Sequence, residues 1–170
     1  LIETSIMGLS DTAKLSATMN DVDITPATVR FAAMNLLAMR EHSLKELRTK
    51  LARKFGPHEA IEGELERLRD EGLQSDTRFA EAFFNMRKNQ GKGQLLIAME
   101  LRERGISGEL INDLVALDQD EWNQLALIAK QKKFGPQIAQ DIKTKTKQMR
   151  FLSARGFNSV SIQYALKHIQ

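Results

Sequence analysis

The chain has 170 residues, 42% hydrophobic and 28% charged, an ordinary balance for a folded protein of one domain or a short array of small ones. It has no cysteine, which excludes disulfides and thiolate chemistry and suits a cytoplasmic location. No apolar run approaches the roughly eighteen residues that span a bilayer, and the first residues lack the layout of a secretory signal.

In chain order, residues 1–24 are small and polar without a sustained period and are expected to form a disordered tail. Thr25-Pro26 reads as an N-cap followed by proline at the first helical position, opening a helix to about Arg40 with Val29, Ala32, Ala33, Leu36 and Leu37 on its apolar face. Ser43 and Glu46 have the spacing of a capping box before a helix that buries Leu44, Leu47 and Leu51. Phe55-Gly56-Pro57 ends it, and a third helix uses Ile61, Leu65 and Leu68 before Gly72. Ser75 or Asp76 then caps a helix with Phe79, Ala80, Phe83 and Phe84 on one face.

Gly91-Lys92-Gly93 breaks that pattern, and Ile97 and Leu101 resume it up to Gly105. Ser107 opens a helix to about Leu117 that buries Leu110, Ile111, Leu114 and Leu117. Asp120 is expected to cap a helix carrying Trp122, Leu125, Ala126 and Ala129, which Phe134-Gly135-Pro136 ends. From Pro136 to Ala154, Ile138, Ile142, Met149 and Leu152 are loosely periodic, with room for a loop in the first half. The last helix runs from Asn158 to about Ile169 with Ile162, Ala165, Leu166 and Ile169 inward.

One ending occurs twice. Leu101-Arg102-Glu103-Arg104-Gly105-Ile106 and Leu152-Ser153-Ala154-Arg155-Gly156-Phe157 share apolar, Arg, Gly and apolar residues at the same offsets, fifty-one residues apart. A cap follows each, Ser107 or Asn158, and Ile106 or Phe157 is placed to pack on Ile111 or Ile162 as a hydrophobic staple. The pattern specifies an all-α fold of three tandem three-helix, helix-turn-helix-like repeats at 25–74, 75–118 and 119–170. Units this small lean on one another, so an elongated, curved array is expected, its concave side open to a partner.

Enzymatic sites find little support. His42, His58 and His168 lie on separate elements without ligand spacing, so no metal is expected. Gly91-Lys92-Gly93 lacks the spacing and preceding strand of a phosphate loop and reads as a structural turn. Ser43 beside His42 is accounted for as a cap, and the carboxylates of Glu59, Glu62, Glu64 and Glu66 suit the start of a helix. The basic residues carry more information. The net charge of +3 hides nine Lys or Arg against Glu121 and Asp141 from residue 121 onward, while residues 1–120 carry sixteen against twenty acids. Such a third favours nucleic acid or an acidic protein surface.

Lys143, Lys147 and Arg150 lie at i, i+4 and i+7 on one helical face, and Lys130, Lys132 and Lys133 crowd the end of the preceding helix. Arg40, Lys50, Arg53 and Lys54 lie on the first two helices of repeat 1, and Arg87, Lys88, Lys92, Arg102 and Arg104 on those of repeat 2. The third helices of these repeats are acid-rich or lack Lys and Arg, which disfavours reading of base edges by a recognition helix and leaves contact with phosphates open.

The ordered set Arg40-Glu41-His42-Ser43, Glu46-Leu47, Lys50-Leu51, Gly72-Leu73, Asp76, Arg78-Phe79-Ala80, Arg87, Gly91-Lys92-Gly93, Ile97, Glu100-Leu101-Arg102, Gly105-Ile106, Phe151-Leu152 and Arg155-Gly156-Phe157 resembles the RecX family, regulators of the bacterial RecA recombinase, over about residues 30–166. Phe55-Gly56-Pro57 departs from the Arg-Gly-apolar turn of the later repeats. The resemblance implies a cytoplasmic protein that binds RecA filaments on single-stranded DNA in their helical groove and inhibits extension, ATP hydrolysis, strand exchange and repressor cleavage. The chain is expected to be a monomer without cofactor. Its expected contacts to RecA or DNA are Arg40, Lys50, Arg53, Lys54, Arg87, Lys88, Lys92, Arg102, Arg104, Lys143, Lys147, Arg150 and Arg155. The alternative is a helix-turn-helix transcriptional regulator.

Overall fold

A computed structural model describes residues 24–169, so the expected tail lies outside it apart from Ile24. The described residues form helices and no strand, in the order α1 (Pro26–Met39), α2 (Leu44–Phe55), α3 (Glu59–Asp70), α4 (Asp76–Asn89), α5 (Gln94–Glu103), α6 (Gly108–Val115), α7 (Gln119–Phe134), α8 (Ile142–Ala154) and α9 (Ser159–Lys167). Each successive set of three packs together.

Most starts follow the caps read from the sequence. The Thr25 hydroxyl accepts from the Thr28 amide, Ser75 from Arg78, Ser107 from Leu110 and Asn158 from Ser161, each satisfying one of the amides that a helix start leaves open. The capping box at Ser43 forms only by half. Ser43 accepts from the Glu46 amide at 3.1 Å, but the Glu46 carboxylate turns to Arg40 at 2.9 Å and Arg104 at 3.5 Å.

Three expectations fail in the C-terminal half. The cap position of α7 is Asp118 rather than Asp120. Residues 135–141 form the loop for which the sequence leaves room and Asp141 caps α8, but Ile142, read as part of the apolar period, is 85% exposed. Ile169 lies beyond α9 and is exposed. Ile142 and Ile169 are lone apolar residues at helix ends with no neighbouring face to bury against.

The core is in two parts. Val29, Ala33, Leu47, Leu51, Leu65 and Leu68 close repeat 1 on itself. A second cluster runs without a break through α4 to α9, from Phe79, Phe83 and Phe84 across Trp122 and Leu127 to Leu152, Phe157 and Leu166. The Phe84 and Trp122 rings meet edge to face across it, 6.1 Å apart.

Both joints between repeats use one device: the turn between the second and third helices of one repeat rests on the start of the second helix of the repeat before. At the first joint Gly105 lies against Lys45, whose ammonium donates to the Glu103 carbonyl at 2.9 Å. Polar side chains complete this joint. The Leu44 amide and the Gln74 amide nitrogen both donate to Asp76 at 2.8 Å, and Gln74 also reaches the His42 carbonyl. His42 is buried, with Nδ1–H donating to the Arg40 carbonyl at 3.0 Å. Burial pushes its pKa below the ordinary value, so the ring is uncharged near neutrality.

At the second joint main chain meets main chain. The Gly93 amide donates to the Arg155 carbonyl at 2.7 Å and the Leu95 amide to the Gly156 carbonyl at 2.9 Å. A Cβ on Gly93 would lie 2.4 Å from Gly156 backbone atoms, and one on Gly156 would lie 2.3 Å from Leu96 Cβ. Gly93 has an ordinary φ of −89°, so the approach of another repeat is what requires glycine there.

This gives opposite expectations for two glycines. Gly93→Ala must part the joint and should lower stability by roughly 1–3 kcal/mol, as overpacking does. Gly63→Ala, inside α3 with open space around it, should raise stability by about 0.5–1 kcal/mol. Urea midpoints of the two variants check both.

Candidate functional site

Packing divides the thirteen basic residues singled out in the sequence into two groups. In the first, the charge is spent inside the fold. Arg87 lies in a two-pronged pair with Glu100, its Nε 2.6 Å from Oε2, and both side chains are largely covered. The Glu100 hydrogen bonds, opposed by partial desolvation, hold the guanidinium pKa above its usual value. Arg87 also lies over the Phe83 ring, and Arg104 stacks on it at 4.4 Å. Arg104 donates to the Glu100 carbonyl and, with Arg40, neutralises Glu46. Lys88 pairs with Glu121 at 3.3 Å. Arg155 donates to the carbonyls of Gln90 and Gly91 at the end of α4, the favoured place for a cation at a helix terminus.

In the second group, Lys50, Arg53, Lys92, Arg102, Lys143, Lys147 and Arg150 make no ion pair with any described residue, and Lys54 only lies over the Phe55 ring. Lys143, Lys147 and Arg150, with Thr146, line a shallow depression on the outer face of α8. Lys50, Arg53 and Lys54 line another beside Leu36 and Met39, between α1 and α2. The two acids of the basic C-terminal third are both engaged. Glu121 pairs with Lys88, and Asp141 accepts from the Thr144 amide at 2.8 Å, with hydrogen bonding from Thr144 holding its pKa below the usual carboxylate value. Lys132, Lys133, Lys143, Lys145, Lys147 and Arg150 therefore have no counter-ion among the described residues.

Lys130 leaves the basic cluster expected at the end of α7. It is fully buried, donates to the His168 carbonyl at 3.2 Å, and burial lowers its pKa. Its position on the inner face, in step with Ala126 and Leu127, is the signal that could have set it apart. Lys132, Lys133 and Lys145, absent from the sequence-derived set, are exposed. Among the described residues no group of three or more His, Asp or Glu side chains is placed to hold a metal, and no helix is long and apolar enough to cross a membrane.

Comparison with known proteins decides the family. The models of the first, second and third three-helix domains of RecX match residues 30–68, 75–114 and 119–166, together most of the chain. The chain belongs to the RecX family. The regulatory protein RecX of Pseudomonas entomophila is 40% identical over 140 residues, 82% of this chain and 90% of that protein. That of Chromohalobacter salexigens is 37% identical, over 84% of this chain and 93% of its own length. Among solved structures, a regulatory protein RecX superposes with a TM-score of 0.72 at 22% identity, covering 84% of this chain and 72% of that one. RecX from Lactobacillus salivarius gives 0.69 at 20% identity, covering 84% and 94%. These two structures share the fold of three three-helix units, and the named relatives make this chain a regulatory protein of the RecX type.

The division of the cations makes a direct prediction. Arg87→Ala leaves Glu100 covered and unpaired and should cost about 1–3 kcal/mol. Arg102→Ala removes an exposed side chain without a partner and should stay within about 0.5 kcal/mol of the parent. Thermal melts of the two variants measure the difference.

Proposed function

We propose that this RecX protein is a non-enzymatic negative modulator of RecA. It acts in the cytoplasm, as a monomer, by lying in the helical groove of the RecA filament on single-stranded DNA and bridging its protomers. It thereby restrains filament extension, ATP hydrolysis, strand exchange and the cleavage of the repressor of the DNA-damage response. The observation that carries this reading is the set of exposed cations left without counter-ions on the second helices, above all Lys143, Lys147 and Arg150 on α8. A cation already paired inside the fold gains little from a phosphate. An unpaired one releases the counterions condensed on a nucleic acid and makes the affinity fall steeply with salt.

The rival reading, a helix-turn-helix regulator that recognises duplex sequence, needs a recognition helix suited to the major groove. The third helices are poorly suited: α3 carries Glu59, Glu62, Glu64 and Glu66, α6 carries Glu109 and Asp113 without Lys or Arg, and α9 offers only Lys167.

Titration into RecA hydrolysing ATP on single-stranded DNA tests the proposal, and inhibition that weakens with salt is expected. Replacing Lys143, Lys147 and Arg150 together by Ala should keep the helical circular dichroism. The triple variant should inhibit roughly tenfold more weakly, three exposed ionic contacts at about 0.5 kcal/mol each. Full inhibition by it would remove α8 from the interface. No inhibition by the folded parent protein at low salt would overturn the RecA reading.

A further inference from the structure

The two joints each enclose a groove at equivalent places, and their charges differ. Between repeats 1 and 2 the groove, about 370 Å³, has a floor of Phe79, Ala82, Phe83 and Met86 beneath Arg40 and Arg104. Glu46 lies between these two arginines and pairs with both, and Glu41 also lines the groove. Between repeats 2 and 3 the groove, about 460 Å³, has Leu125, Ile128, Ala129 and Phe151 as its floor and Lys88, Lys132, Lys133 and Arg155 around it. No carboxylate lines it, and Glu121, which pairs with Lys88, is not among its walls.

The difference begins with Glu41 and Glu46, which line the first groove, whereas no carboxylate lines the second. Matching Leu51 of α2 with Leu101 of α5 aligns Glu46 with Leu96, so the carboxylate that Arg104 meets has no counterpart for Arg155, whose partners are the Gln90 and Gly91 carbonyls. Lys132 and Lys133, exposed and without partners, add two further uncompensated charges.

We propose that the groove between repeats 2 and 3 is a docking site for an acidic peptide segment bearing an apolar side chain, whose carboxylates take the place that Glu46 holds at the other joint. Charge complementarity selects the carboxylates, and the half-exposed Ile128 beside Leu125 selects the apolar side chain. A single-stranded nucleic acid fits the floor poorly. Base stacking needs an open aromatic face, whereas Phe151 carries the Arg155 guanidinium 4.6 Å from its centroid and packs at right angles against Phe134. The rest of the floor is aliphatic.

The test uses the full protein alone, without RecA or DNA, so its failure leaves the proposed modulation of RecA standing. The probe is a fluorescein-labelled acidic octapeptide with a central Leu-Phe pair flanked by Asp and Glu, followed by fluorescence anisotropy. The peptide should bind. Lys132→Glu with Lys133→Glu should weaken it by at least about tenfold, while Lys143→Glu with Lys147→Glu, the same charge change on α8, should alter it by less than about threefold. Replacing the central pair by Ser, or the acids by Gln and Asn, should abolish binding. Equal losses in the two double variants, or undiminished binding of the Ser peptide, would show diffuse attraction to a basic surface and overturn the site. No binding would overturn it, as would an oligothymidylate that displaces the peptide and loses its own binding in the Lys132, Lys133 variant.

Discussion

The array depends on how α5 begins. Its N-cap, Gly93, has no side chain to accept from the amides that follow, and an amide left open in a covered place costs about 1–3 kcal/mol. At α2 the corresponding residue, Ser43, supplies its own oxygen. At α5 the acceptor comes from the next repeat: the Gly156 carbonyl takes the Leu95 amide, and the Arg155 carbonyl takes that of Gly93. The carbonyls can come this close only because neither Gly93 nor Gly156 carries a Cβ. The start of a helix in repeat 2 is therefore completed by repeat 3, and the two share one apolar core. Repeat 1 is joined through side chains and keeps a core of its own.

That asymmetry governs the charges. The first joint is built from polar side chains and consumes Arg40, Arg104, Glu46 and Asp76 in the process. The second is built from backbone and hydrocarbon and takes up only Arg155, so Lys132, Lys133, Lys143, Lys145, Lys147 and Arg150 remain without counter-ions among the described residues. The basic balance of the C-terminal third is thus a surface property, with Lys130 as the exception.

The helices were legible because their apolar periods and caps are local. Val29, Leu47, Leu65, Phe83, Ile97, Ile111, Ala126, Leu152 and Leu166 sit inside as their spacing requires, and the recurring Arg-Gly-apolar turn marked the repeat. Gly91-Lys92-Gly93 was legible as a turn. The reason for Gly93 was not, since it lies sixty-three residues away at Gly156. The basic residues were legible as a set but not as a surface. Whether Arg87 faces a partner or Glu100 is decided by packing between α4 and α5, and whether Lys130 is wet or dry by the close fit of α7 on α9. Spacing along one helix reports neither. Ile142 misled for the converse reason: its period was right, but no neighbouring helix covers it.

Native-state hydrogen exchange of the Gly93 and Leu95 amides tests the shared joint most directly. If repeats 2 and 3 are locked through these two bonds, both amides exchange only with the opening of the core that holds Ile97 and Leu152, at the same free energy as those residues. Exchange of Gly93 and Leu95 at the low free energy of a fraying helix end, while Ile97 and Leu152 stay protected, would contradict the account.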